Sequence, residues 1–432
     1  MIKNIKTICV IGGGIQGLSL AYFLSKNSNY KVVLLEKGEK LGGLLGLLNV
    51  AGTPIEGFYH HWFTSYNDII DLAKELGLAD NLFHKKGKIG VFFKDNLYPF
   101  TTALDLLRFS PLSFINRLRL GFSVFILKTI KNPTKLENIT AVKWLKKYSG
   151  IKAYELIWEP LLRGKFGTHK DSISMAWMWG RIHERGNSPV LVYPRGGFQK
   201  LIDKMSDSII KSGGRIETSF NISEVVKESE GLSVYYEGEN KITFDNVFFT
   251  TPVNVFTRLV KGLPDEYRQQ LEKIKYRAAH VVVLVLKKSL MPKGYYWVNV
   301  QDRNIPLLAI IEHTNLVPRE DYKDKTIVYL GNYPDPDDPI MSLKNEEIID
   351  TYIGFMQRVN KDFNKDWIEE YYVFKDKNGQ PIVGLDYKDN IPPYKTPIEG
   401  LYLVSMVQIY PSDRGTDNAV KQAKLAIKKA GL

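Results

Sequence analysis

A single cysteine, Cys9, stands in a chain of 432 residues, which excludes disulfide bonds and thiolate metal clusters and fits a reducing cytoplasm. It lies inside an apolar run and reads as a core thiol rather than a nucleophile. The seven histidines (His60, His61, His84, His169, His183, His280 and His313) lack H-E-x-x-H or comparable ligand spacing, so no metal site is expected. No apolar stretch approaches the ~20 residues of a bilayer-spanning helix. The longest lightly charged one, Leu120 to Leu127, is closed off by Arg119 and Lys128. The first strand begins by about Thr7, too early for the apolar core of a signal peptide. Also missing are a G-x-S-x-G nucleophile elbow, zinc-finger spacing, an RNA-binding aromatic signature, repeats and long linkers.

With 44% hydrophobic and 25% charged residues, the chain can bury a large core and is expected to form two closely connected domains. Its formal charge of +12 calls for an explanation. Nucleic acid is disfavoured, because no binding motif accompanies the charge and the lysines are scattered rather than gathered in one run. What remains is an anionic small-molecule or lipid-linked substrate, an anionic membrane surface, or diffuse solvated charge. Oligomeric state is open.

The most informative stretch is N-terminal. Ile8 to Ile11 suit a buried parallel strand, Leu18 to Leu24 switch to helical spacing, and Tyr30 to Glu36 read as a second strand. Gly12, Gly14 and Gly17 lie between strand and helix. The first permits a sharp turn, the second lets a pyrophosphate approach the backbone, and the third lets helix and strand pack closely. The helix N-terminus receives the phosphates, and no Lys or Arg occurs between Lys6 and Lys26 to do so instead. Glu36, nineteen residues after Gly17, can accept hydrogen bonds from a ribose diol. Together these form a dinucleotide-binding unit.

Lys37 to Gly43, with the glycine pair Gly42 and Gly43, resembles the segment after the acidic residue in the FAD-dependent amine oxidase superfamily, which includes monoamine oxidases, protoporphyrinogen oxidases and phytoene desaturases. The resemblance implies FAD and an α/β fold: a Rossmann-like FAD-binding domain and an α+β substrate domain of mixed or antiparallel sheet plus helices. The first is expected to be discontinuous over 1–75, 190–262 and 395–432, the second over 76–189 and 263–394. It further implies that Gly12, Gly14, Ile15, Gln16, Gly17, Glu36, Lys37, Gly42, Gly43, Val225, Thr251, Ser405, Met406, Gly415 and Asn418 surround the cofactor. Ser405 and Met406 stand where relatives carry Gly-Asp, and Asp413 and Arg414 are further candidates for the flavin end. The helix beginning near Asn418 would point its positive end at the flavin.

The aromatic cluster Gly57 to Phe63 falls where the superfamily's chain passes the flavin ring, which makes Tyr59, His60 and His61 candidate catalytic residues and Trp62 a substrate platform. Adjacent histidines on an extended segment point opposite ways, so at most one is expected to face the flavin. Glu159 and Pro160 read as a helix break that leaves Arg163 and Lys165 on a Gly-flanked loop suited to a phosphate or carboxylate. Arg163 is also a catalytic candidate, and Arg181 and Arg195 complete the substrate-binding set. Leu104 to Lys131 reads as a basic amphipathic helical region, which either packs on its own core or lies at a bilayer surface.

The expected activity is hydride transfer between a substrate carbon and flavin N5, on an amphipathic or anionic substrate, by a cytoplasmic enzyme or one peripheral at the inner face of the membrane. The alternative resembles UDP-galactopyranose mutases, which act on a nucleotide- or lipid-linked sugar without net redox change. A flavin-binding scaffold without turnover is the third reading.

Overall fold

In the computed structural model, which describes residues 5–186, 188–291 and 293–432, two sheets organise the chain. β1 (Lys6–Ile11), α1 (Ile15–Ser25) and β2 (Tyr30–Leu35) form the strand–helix–strand unit read from the sequence. β1 is the middle strand of a five-stranded parallel sheet ordered Arg215–Glu217, β2, β1, Asn246–Phe249, Leu401–Leu403. Its central strands are covered on both faces, which is why Ile8 to Ile11 and Val32 to Leu35 are apolar without alternation. Because every strand runs the same way, their C-terminal ends carry Gly12, Glu36, Thr251 and Ser405 to one edge.

The second sheet has seven strands in the order Ile368–Pro381, Tyr276–Leu286, Thr326–Asn332, Ala309–Glu312, Trp297–Val300, Ile89–Phe93, Asn96–Pro99. Neighbours are antiparallel except Trp297–Val300 against Ile89–Phe93. Strand periodicity divides its two faces: Val282 and Leu284 pack with Ile348 and Tyr352 of the Asn345–Val359 helix, whereas Val281 and Val283 belong to the core shared with β1 and α1. That shared core fixes one sheet against the other.

Between residues 103 and 184 the chain is helical. The region expected as one amphipathic stretch is two helices, Ala103–Arg108 and Phe114–Thr129. Thr102 and Ser113 cap them, and Pro111 lies in the break. Thr140 caps the Ala141–Ser149 helix as its sequence suggests.

The expected break at Glu159 and Pro160 does not occur. A π-helical turn, Tyr154–Trp158, leads directly into helix Glu159–Phe166. Pro160 falls in the first turn of that helix, where its missing N–H costs little. Arg163 and Lys165 are therefore helical, not on a loop.

Candidate active site

Two recesses stand out, the smaller of them at the carboxyl edge of the parallel sheet. The smaller, about 320 Å³, is lined by Gly12, Glu36, Lys37, Thr251 and the segment Phe220 to Ser223. Gly12 has φ +109°, a conformation that suits only glycine, and it turns the chain from β1 towards α1. The Glu36 carboxylate accepts from Gly13 N–H at 2.6 Å and Gly38 N–H at 2.7 Å, which fixes it beside the turn. A Cβ on Gly14 would meet only Gly43 Cα, at 3.8 Å. A Cβ on Gly17 would fall 1.9 Å from the Gly12 carbonyl oxygen, so that glycine serves packing.

No side chain caps the N-terminus of α1, and the buried Gln16 Nε2 has no partner among the described residues. An unoccupied donor, uncapped N–H groups and a fixed carboxylate match the pyrophosphate and ribose of a dinucleotide. These residues fit FAD.

The larger cavity, about 780 Å³, lies between the seven-stranded sheet, the helical layer and the start of the C-terminal helix Thr416–Ala430. Tyr59, His60 and His61 all line it. Both histidines line one cavity because these residues precede the short strand Trp62–Phe63 and do not alternate regularly. His60 Nδ1 bonds to the Phe58 carbonyl, and His61 Nδ1 lies 2.9 Å from Tyr296 Oη. Burial, with the Arg414 charge, pulls His60 down to about 4; burial, with Arg185, pulls His61 to about 3. Both rings are neutral at physiological pH.

The same cavity holds a charge cluster. Lys165 Nζ donates to Asp413 Oδ1 at 2.6 Å, and Arg181 pairs with the same carboxylate. Arg414 donates to Tyr333 Oη at 2.9 Å and to Gln380 Oε1. Arg185 completes the group, its pKa lowered by the Arg181 charge beside it. Burial, then the charges of Arg181 and Arg414, pull Lys165 down to about 7 against the attraction of Asp413. Asp413 stays ionised: Lys165 and Arg181 outweigh its burial and hold it below the usual carboxylate range. Lys165, Arg181, Arg185 and Arg414 thus share the cavity with one carboxylate.

Several expected residues lie elsewhere. Arg163 is not in the cavity wall; it pairs with Glu159 at 3.3 Å, one turn back on its helix. Arg195 forms a bidentate pair with Asp321 away from the cavity. Trp62 is wholly buried and donates to Thr416 Oγ1 at 2.9 Å, anchoring the C-terminal helix instead of offering a platform. Asn418 is buried and donates to Glu184 Oε1 and the Asp413 carbonyl. Val225 lies in the strand Ile222–Glu228, and it is its neighbours Asn221 to Ser223 that line the smaller recess. Ser405 and Met406 begin a turn closed by Gln408 and line neither recess. Ile15 packs in the core, whereas Gly415 lines the cavity at the uncapped end of the C-terminal helix.

Tyr296, Trp297, Asn299 and Tyr333 were not singled out from the sequence, since their strands carry no motif. Glu56 is a further such residue. Its buried carboxylate accepts from Tyr193 Oη at 2.9 Å and Phe198 N–H at 2.8 Å, tying the aromatic segment to the helix Gln199–Lys211.

The family model described as flavin containing amine oxidoreductase matches residues 15–407. Coproporphyrinogen III oxidase of Staphylococcus aureus is 23% identical over 291 residues, 58% of this chain and 61% of that enzyme, so the match spans less than two thirds of the relative. A 15-cis-phytoene desaturase of an Oncidium hybrid cultivar is 23% identical over 92% of this chain and 72% of its own. Among solved structures, reduced UDP-galactopyranose mutase superposes with a TM-score of 0.78 at 14% identity, covering 99% and 96% of the two chains. Putrescine oxidase bound to putrescine gives 0.74 at 15%, covering 99% of each. At such identities the structural likeness speaks for the fold alone.

Proposed function

The chain belongs to the flavin containing amine oxidoreductase family and its cofactor is FAD, and from that premise we propose that it moves a hydride between a substrate carbon and flavin N5, on a substrate that is anionic and partly apolar. The observation that carries the substrate class is the convergence of Lys165, Arg181, Arg185 and Arg414 on a cavity whose remaining wall is largely aromatic and aliphatic. One carboxylate, Asp413, offsets only part of that charge. When bound, FAD supplies the hydride acceptor or donor.

The protein's own residues bind, orient and exclude water. Tyr59 packs edge-on against Trp297 with ring centroids 4.9 Å apart, and His61 packs on Tyr296 at 5.6 Å, giving a rigid apolar wall. The neutral histidines add no charge to it. The uncapped N-terminus of the C-terminal helix, at Gly415 and Thr416, supports negative charge developing nearby. A hydride transfer needs no nucleophilic triad, so placement and desolvation supply the catalysis.

The test is an anaerobic titration of the FAD-loaded protein with candidate substrates, followed by absorbance. Bleaching of the flavin by an amphipathic carboxylate or phosphate supports the reading. Turnover of a nucleotide- or lipid-linked sugar only after prior reduction, without net redox change, would replace it with the mutase-like alternative.

Lys165 gives a second prediction. Its charge is present below about 7 and lost above, so binding of sulfate, which keeps its own charge across this range, should weaken as pH rises through neutrality. Loss of one adjacent cation is expected to reduce affinity by about tenfold. Lys165→Arg should flatten the dependence, because a guanidinium stays ionised. A sulfate affinity independent of pH in the wild type would remove Lys165 from the anion site.

A further inference from the structure

Among the described residues, the large hydrophobic side chains left in solvent are concentrated in one place. Leu104 and Leu107 of the Ala103–Arg108 helix are 52% and 40% exposed. On the Phe114–Thr129 helix, Phe114, Ile115, Leu118, Phe122 and Phe125 are between 49% and 75% exposed. At about 100° per residue these five fall within an arc of about 100°, with the buried Leu120, Ser123 and Leu127 on the opposite side. Arg119 borders the stripe on one side, and Arg117 and Lys128 border it on the other. The helix is thus apolar outward and secured inward, the reverse of a solvent-facing helix.

Charge accompanies this face. No run of lysines marks it, yet residues 103–152 hold ten Lys and Arg against two acidic residues, Asp105 and Glu137, a net of +8 out of the chain's +12. An isologous contact with a second copy would set this charge against itself, whereas anionic headgroups complement it. The face also adjoins the active site. Thr101, Thr102 and Ala103 at the start of one helix, and Val124 and Lys128 on the flank of the other, line the larger cavity. Among the described residues no helix is long and apolar enough to cross a membrane.

We propose that the outward face of the Ala103–Arg108 and Phe114–Thr129 helices docks in the plane of an anionic lipid bilayer, with the cavity opening at the headgroup level. The apolar stripe enters the acyl boundary and the surrounding cations meet the headgroups. A substrate with a greasy part then passes from the lipid to the cavity without crossing water. Docking does not depend on the hydride-transfer reading, since it is measured without substrate.

The FAD-loaded protein is sedimented with vesicles of phosphatidylcholine alone and of phosphatidylcholine mixed with phosphatidylglycerol. Binding to the mixed vesicles, weakened by salt, is expected. A Phe122→Glu, Phe125→Glu double variant should bind about tenfold less or weaker, because both side chains are lost from the bilayer. Both positions are exposed and outside the cavity wall, so flavin content and spectrum should remain those of the wild type. Absence of binding to either vesicle, or equal binding by wild type and variant, overturns the proposal. So does a wild-type dimer that the double variant breaks while neither protein binds vesicles, which would assign the face to a second copy.

Discussion

Gly17→Ala is expected to lose both folded stability and FAD, whereas Gly14→Ala should keep the first and lose the second. The difference lies in what each new methyl would meet. At Gly17 it would sit 1.9 Å from the Gly12 carbonyl oxygen and 2.7 Å from Thr250 Oγ1, so α1 must lift from the turn that follows β1. Overpacking of this kind costs about 3 kcal/mol, and backbone cannot rotate aside as a side chain can. At Gly14 the nearest atom is Gly43 Cα, at an ordinary contact distance of 3.8 Å, and no other atom lies within 4 Å of the new methyl. The apoprotein's thermal midpoint should therefore be nearly unchanged in Gly14→Ala, while FAD affinity falls by about tenfold or more, the equivalent of about 1.4 kcal/mol. Thermal unfolding of apoprotein and fluorescence titration with FAD separate the two effects. Equal FAD affinity in Gly14→Ala and wild type would refute the assignment of the phosphate site.

Asp413→Asn is expected to destabilise the protein by about 3 kcal/mol or more, since it removes the carboxylate paired with two cations that are nearly buried. The loss should depend on pH in a defined sense. Burial already holds Lys165 well below its unfolded value, and without Asp413 its pKa falls further. In the wild type Lys165 gives up its proton at about 7 and in the variant at lower pH, so between those values only the variant gains stability as pH rises, while above about 7 both gain it in parallel towards about 10.5. Destabilisation is therefore largest in mild acid, shrinks as pH rises to about 7 and stays constant above it. Sulfate should restore part of the lost stability by taking the carboxylate's place among Lys165, Arg181 and Arg414. Denaturant unfolding in mild acid and above neutral pH, with and without sulfate, reads all three effects. A variant as stable as the wild type at neutral pH would mean that Asp413 does not hold the cluster.

The dinucleotide unit was readable from the sequence because its chemistry is local. Gly12, Gly14, Gly17 and Glu36 fall within one strand–helix–strand passage, and each residue type follows from a turn, a close approach or a ribose contact. Sheet class was not readable in this way: the antiparallel strand Tyr276–Leu286 is as continuously apolar and buried as β1, because both of its faces are covered.

The anion site was legible only in part. Lys165 and Arg163 look equivalent on a loop, but two residues apart on a helix they point about 200° from each other, so only one can reach the cavity. Arg195 found a carboxylate at Asp321, and Trp62 found a hydroxyl at Thr416, partners far away in sequence. Asp417 likewise accepts from Ile69 N–H at 2.9 Å, in the first turn of the Asn67–Glu75 helix. By itself, then, the sequence determined the cofactor unit, because spacing along the chain encodes dihedral angles and burial. Which cations share one cavity, and which are neutralised elsewhere, was decided by tertiary structure, because charges pair with whatever the fold brings within a few ångströms.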